Sequence, residues 1–101
     1  METQGKKIFM KQLLPVIAKH YDVEPEQILG HSRKAKYTKP RHAFFWMCRV
    51  QLNKSYHDIA RFMNRDHTTV LYGVRRCREG RWLSYDDAQL LLDQARKRDT
   101  Q

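Results

Sequence analysis

Two short segments, Ser55-Tyr56-His57-Asp58-Ile59-Ala60 and Arg65-Asp66-His67-Thr68-Thr69-Val70, start ten residues apart and leave few folds open. Ser55 with Asp58 has the form of a capping box opening a short helix that ends near Met63. Asn64 suits the turn that follows, because Asn tolerates the left-handed conformation. A second helix then starts at Asp66 and carries Val70, Val74 and Cys77 on one face at i, i+4, i+7 spacing. The pair reads as a helix-turn-helix. A second helix that only had to pack would rarely open on Asp, His, Thr and Thr in succession. Such side chains either bond the free N–H groups of the helix start or point outward to meet something polar.

The rest of the chain reads as helical too, and no segment shows sustained strand-like alternation. Phe9, Leu13, Val16 or Ile17, and Tyr21 share one helical face, with Pro15 either in the first turn of a helix starting near Leu13 or inside a longer one. A short helix is expected from Pro25 to Leu29, stopped by Gly30. Pro40 is expected to open a helix through about Leu52 whose body, Ala43-Phe44-Phe45-Trp46-Met47-Cys48, is apolar nearly all round, as a central helix would be. Gly80 is expected to stop the second helix of the motif. Ser84 and Asp87 repeat the capping pattern before a last helix with Ala88, Leu91, Leu92 and Ala95 inward and a fraying tail from Arg96. The expectation is one compact all-α domain of five to six helices over 1–101, with its core between about 12 and 95.

Charge narrows the partner. The 101 residues hold 20 Lys and Arg against 11 Asp and Glu, a net charge of +9. At 41% hydrophobic the chain can still bury a core. A polyanion is the default partner of such a protein, nucleic acid before an acidic membrane surface. The segment from His31 to Arg41 concentrates five positive charges and no acid, with Ser32, Tyr37 and Thr38 between them. Basic flexible arms beside helix-turn-helix units enter the adjacent minor groove. The outer face of the second helix continues with Tyr72, Arg75, Arg76 and Arg78, and arginines there hold phosphates. In a helix-turn-helix protein the first turn of the second helix reaches base edges in the major groove. Asp66 would cap its own helix and could accept from a cytosine amino group, and the Thr68 and Thr69 methyls suit thymine.

Other classes find little support. Cys48 and Cys77 sit in apolar helical patterns and read as reduced core residues. His20, His31, His42, His57 and His67 are scattered without metal-ligand spacing, and no nucleophile–base set or Gly-rich phosphate loop is present. The expectation is no enzyme, no catalytic residue, no metal and no cofactor. Residues 1–7 lack a secretion signal, and no run approaches the ~20 apolar residues of a membrane span, so a cytoplasmic protein without membrane contact is expected.

These residues resemble the C-terminal DNA-binding domain of the bacterial replication initiator DnaA. That domain carries a signature close to Gly-Arg-Asp-His-Thr-Thr-Val, which Arg65 to Val70 match without a gap. Ile17-Ala18-Lys19-His20-Tyr21-Asp22-Val23 is similar to its first helix and exit, and Ile28-Leu29, the basic segment and Pro40-Arg41 keep its spacing. The resemblance implies double-stranded DNA as partner, one copy per asymmetric site. It implies base contacts from Asp66, His67, Thr68 and Thr69, and a minor-groove arginine at Arg33. Phosphate contacts are implied for Arg41, His42, Arg49 and Ser55, to which the charges at Lys34, Lys36, Arg65, Arg75 and Arg76 add. The family has Phe-Gly-Gly-Arg where this chain has Phe62-Met63-Asn64-Arg65, one residue shorter between Ile59 and Asp66, and usually glutamine where His42 stands. Full initiators carry an ATPase module ahead of this domain, and fewer than fifteen residues precede the first helix here. The expectation is therefore a free-standing box-binding domain, either a fragment or a small phage, prophage or plasmid regulator of replication or transcription. A module that binds a replication initiator without reading DNA is the alternative, with structured RNA binding third.

Overall fold

The central helix, α3, runs Ala35–Trp46 and continues without a break into a wider π-helical turn, Met47–Gln51, closed by a Leu52 N–H to Met47 carbonyl bond of 3.0 Å. A computed structural model describes residues 8–99. The expectation for residues 1–7 lies outside the described residues, as do positions 100 and 101. Around α3 stand α1 (Met10–His20), α2 (Pro25–Leu29), α4 (Tyr56–Met63), α5 (His67–Gly80) and α6 (Tyr85–Asp99). The all-α fold expected from the sequence is the fold observed, with six helices and no strand among the described residues.

Ala43, Phe44, Phe45, Met47 and Cys48 are fully buried. Burying each such apolar side chain contributes about 1.5–3 kcal/mol, which is why the others gather on this helix. α3 packs most extensively on α5, α1 on α6, and α4 on α5. The inward stripes Val70, Val74 and Cys77 of α5 and Ala88, Leu91, Leu92 and Ala95 of α6 are buried as their spacing required. Cys48 and Cys77 are free thiols in the core, and burial pushes both pKa values up. No helix among the described residues is long and apolar enough to cross a membrane.

The local signals mostly act as read. Ser55 Oγ and Ser84 Oγ each accept from the N–H three residues on, at 3.0 Å. Asn64 ends α4 in the left-handed conformation, φ 56° and ψ 52°. Pro25 occupies the first turn of α2, and Gly30 follows its end.

Four details differ. Pro15 lies inside α1, so the longer of the two expected helices forms, and Phe9 is exposed while Ile8 takes the inward place. Pro40 does not open α3: the helix starts five residues earlier, and the fully buried proline ring offsets the helix bond its missing N–H forfeits. The flexible basic arm is therefore short, because Lys36 and Lys39 ride on the first turns of α3. Arg81, not Gly80, ends α5 in the left-handed conformation, φ 52°. Gly80 is needed for space instead, since a Cβ there would strike the Trp82 indole. α6 is helical from Tyr85 to Asp99.

Candidate nucleic-acid interface

Between the basic segment and the first turns of α5 lies an open groove of about 630 Å³. His31, Arg33 and Thr38 line one wall and Asn64, Arg65, Asp66, Thr69 and Tyr72 the other, over a floor that includes His42 and Phe45. The fold thus brings Arg33 to the same groove as Asp66 and Thr69, across more than thirty residues of chain. His67 and Thr68 stand on the exposed shoulder of the same turn.

The start of α5 is built differently from the capping expectation. Asp66 holds the N-cap backbone position, φ −71° and ψ 142°, yet its side chain caps nothing. The carboxylate instead accepts from Thr68 Oγ1 at 3.2 Å and lies 3.6 Å from His67 Nδ1. With 71% of the Asp66 side chain exposed, its acceptor capacity points at solvent. The uncapped N-terminus also leaves the positive end of the helix open to an anion. The His67 ring lies against His57 of α4, centroids 4.3 Å apart and tilted 32°. His57 was not singled out in the sequence, because ten residues separate the two rings and only the sharp turn at Asn64 joins them.

Arg65 fastens the two walls. Its Nη1 lies 3.1 Å from His31 Nδ1, and its Nη2 donates to the Leu29 carbonyl at 3.1 Å and to the Gly30 carbonyl. Ser55 and Arg49 meet at the opposite corner: the Arg49 guanidinium lies 4.6 Å over the Tyr56 ring and donates to the Lys54 carbonyl at 3.2 Å, beside the α4 N-terminus. The Ser55 hydroxyl accepts in its cap, and its own proton stays free to donate. Lys34 forms the N-cap of α3, Lys36 lies 5.8 Å over Tyr37, and Arg75 and Arg76 project from the outer face of α5.

Two residues expected to hold phosphate, Arg41 and His42, line the same groove but are tied into the fold more deeply than the others. Arg41 is 6% exposed, and its Nε, Nη1 and Nη2 donate to the carbonyls of Ile28, Ser32 and Gln27 at 2.7, 2.8 and 2.9 Å. Three of its five N–H donors hold the end of α2 and the basic segment in place. His42 stacks on Trp82, centroids 5.6 Å apart and 7° from parallel, with Tyr72 edge-on at 6.3 Å. Its Nδ1 is buried without a partner. Burial, then the charges of Arg41 and Arg76, depress its pKa from 6.5 to about 4, so near neutrality it brings no charge to a phosphate.

That depression makes His42 a pH liability. Between pH 6.5 and about 4 the unfolded chain protonates this ring and the folded one does not, so stability falls as the pH drops through that window. A loss on the order of 1–2 kcal/mol by pH 4 is expected from this half-buried ring, the shift being converted at about 1.36 kcal/mol per unit and discounted for solvent screening. His42→Gln should remove that part of the dependence in urea titrations at pH 7, 5.5 and 4. An unchanged slope in the variant would assign the acid sensitivity elsewhere.

The family model of the bacterial DnaA protein helix-turn-helix matches residues 10–77. The chain belongs to the bacterial DnaA helix-turn-helix family. It is 40% identical over 63 residues to chromosomal replication initiator protein DnaA 2 of Chlamydia caviae, a match covering 62% of this chain and 14% of the relative. It is 33% identical over 94 residues to the DnaA initiator of Ruegeria sp. strain TM1040, covering 92% and 19%. The Xanthobacter autotrophicus initiator is 37% identical over 75 residues, covering 73% and 15%. The chain thus spans under a fifth of the length of these relatives. At the turn before α5 of this DnaA-family domain, Met63 is buried as the last residue of α4 and Asn64 takes the left-handed backbone conformation.

Proposed function

We propose that this domain binds double-stranded DNA sequence-specifically at DnaA-box-like sites, as a regulator of replication or transcription and as one copy per site. In this reading Asp66, His67, Thr68 and Thr69 on the first turn of α5 contact base edges in the major groove, and Arg33 enters the adjacent minor groove. Arg49, Ser55, Lys34, Lys36, Arg75 and Arg76 hold phosphates. Arg65 takes its share from within the hydrogen bonds that position the groove. The observation that carries the reading is the uncapped, outward-facing Asp66 carboxylate beside His67 and Thr68, on a helix start that shares its groove with Arg33. A helix that had only to be stable would put that carboxylate on its own N–H groups.

The test is a titration of two fluorescent duplexes of equal composition near 150 mM salt, one carrying a DnaA-type box and one a scrambled version. A preference of about a hundredfold or more for the box is expected. With about 5 to 7 phosphates engaged, log affinity should fall against log salt with a slope near −5 to −6. Equal affinity for both duplexes would end the base-reading assignment.

Arg33→Ala gives a second expected outcome. It should weaken binding by about five- to tenfold where A·T pairs flank the box and by much less where G·C pairs do, because an arginine senses the narrow A·T minor groove. A loss independent of the flanks would make Arg33 an ordinary phosphate contact.

A further inference from the structure

Trp82 lies just past the end of α5, outside the helix-turn-helix, and its surroundings are unusual. Its backbone is pinned at both ends, the N–H donating to the Cys77 carbonyl at 3.2 Å and the carbonyl accepting from Tyr21 Oη at 2.9 Å. The indole has room over the end of α5 because residue 80 is glycine, and the His42 ring stacks on it. Two cations from different helices converge on it. Lys39 Nζ of α3 lies 5.7 Å from the ring centre and the Arg76 guanidinium of α5 5.9 Å, the latter equally close to Tyr72.

Neither cation has a carboxylate within ion-pair distance among the described residues. Drawing two like charges to one ring without an acid is unfavourable in the free protein, and attraction to the indole face offsets that only in part. Both cations are left open to an anion.

Its position says which anion. Tyr72 lines the groove with Asp66 and Thr69, and Arg76 follows Tyr72 one helical turn later on the same face. Lys39 follows Thr38, which lines the facing wall. Ten residues of helix from Asp66 to Arg76 span about 15 Å. The major groove is about 12 Å wide, so a helix whose first turn touches base edges puts a point that far along it at the flanking backbone. We infer that Trp82 is a positioning residue that, backed by His42, holds Lys39 and Arg76 as a two-cation seat for a backbone phosphate of the duplex. This rests on the DNA-binding reading, and it adds affinity without sequence preference, since a phosphate looks alike at every step.

The experiment is a mutant cycle on the box and scrambled duplexes, with the melting temperature of each protein recorded. Trp82→Leu should weaken both duplexes by the same factor, about five- to tenfold, and leave the box preference as in wild type. Trp82→Phe, which keeps a ring, should lose less than half of that effect on a logarithmic scale. In a Lys39→Ala/Arg76→Ala background Trp82→Leu should change either affinity less than about twofold, because nothing remains for the ring to hold. A full Trp82→Leu loss in that background would show that the residue acts only through the fold, and the inference would be overturned. A loss confined to the box duplex would overturn it too, by making Trp82 part of base reading. Failure of the box reading is seen separately, as equal wild-type affinity for both duplexes, under which the cycle still decides the phosphate seat. No wild-type binding to either duplex would remove both.

Discussion

Arg41→Ala is expected to cost about 3–5 kcal/mol of folding stability, a large share of the 5–15 kcal/mol that holds an ordinary domain together. The guanidinium makes three hydrogen bonds of 2.7–2.9 Å to the carbonyls of Ile28, Ser32 and Gln27 while almost fully buried. Two of those carbonyls belong to the last turn of α2, where no further helical N–H exists to satisfy them. Hydrogen bonds to a charged donor are each worth about 1.5–3 kcal/mol, and truncation leaves the acceptors facing a hole instead of water. Lysine should rescue little, since one ammonium cannot spread three donors in the plane of a guanidinium. Urea titration reads this directly, as a lower midpoint at unchanged slope. A cost below about 1 kcal/mol would mean that water replaces the guanidinium and that the basic segment is held by Arg65 alone. The same substitution should weaken DNA binding only through the segment that carries Arg33, whose neighbour Ser32 is one of the three bonded residues.

Arg41 also marks the limit of what the sequence showed. Most features that depend on neighbours three or four residues away are readable: the buried stripes of α5 and α6, the Ser55 and Ser84 caps, the left-handed turn at Asn64. The segment from Arg65 to Val70 pointed to the family through its likeness to the family's signature, and the family model matches residues 10–77. Long-range contacts decided the rest. Whether Arg41 faces solvent depends on where α2 ends, thirteen residues earlier. Whether His42 carries charge depends on Trp82, forty residues later. The sequence places the start of the helix at Pro40 because no local rule sees the burial that stabilises its ring, and the expected basic loop is longer than the observed one in consequence. The Asp66 side chain left the cap that local propensity assigned it. Departures from local consistency concentrate where a protein does its work, and this one falls on the turn proposed to read bases.

That departure leads to the second large effect. Replacing Asp66, Thr68 and Thr69 together by alanine should reduce the box preference from about a hundredfold to below tenfold, each contact contributing about 1–3 kcal/mol on the box, less than additively because Thr68 and Asp66 are bonded to each other. Affinity for scrambled DNA should not fall. It should rise slightly, because a carboxylate near a phosphate backbone repels it, and Asp66 can be tolerated at such a surface only if a base amino group meets it. Asp66→Ala alone should therefore move the two duplexes in opposite directions, weaker on the box and equal or tighter on the scrambled sequence. A residue that merely stabilised α5 would weaken both together. The fold offers little cover for that alternative, since the Asp66 side chain makes no cap bond and its removal should shift the melting temperature by no more than a few degrees. Parallel losses on both duplexes, with a matching drop in melting temperature, would return Asp66 to a structural role and take the base-reading mechanism with it.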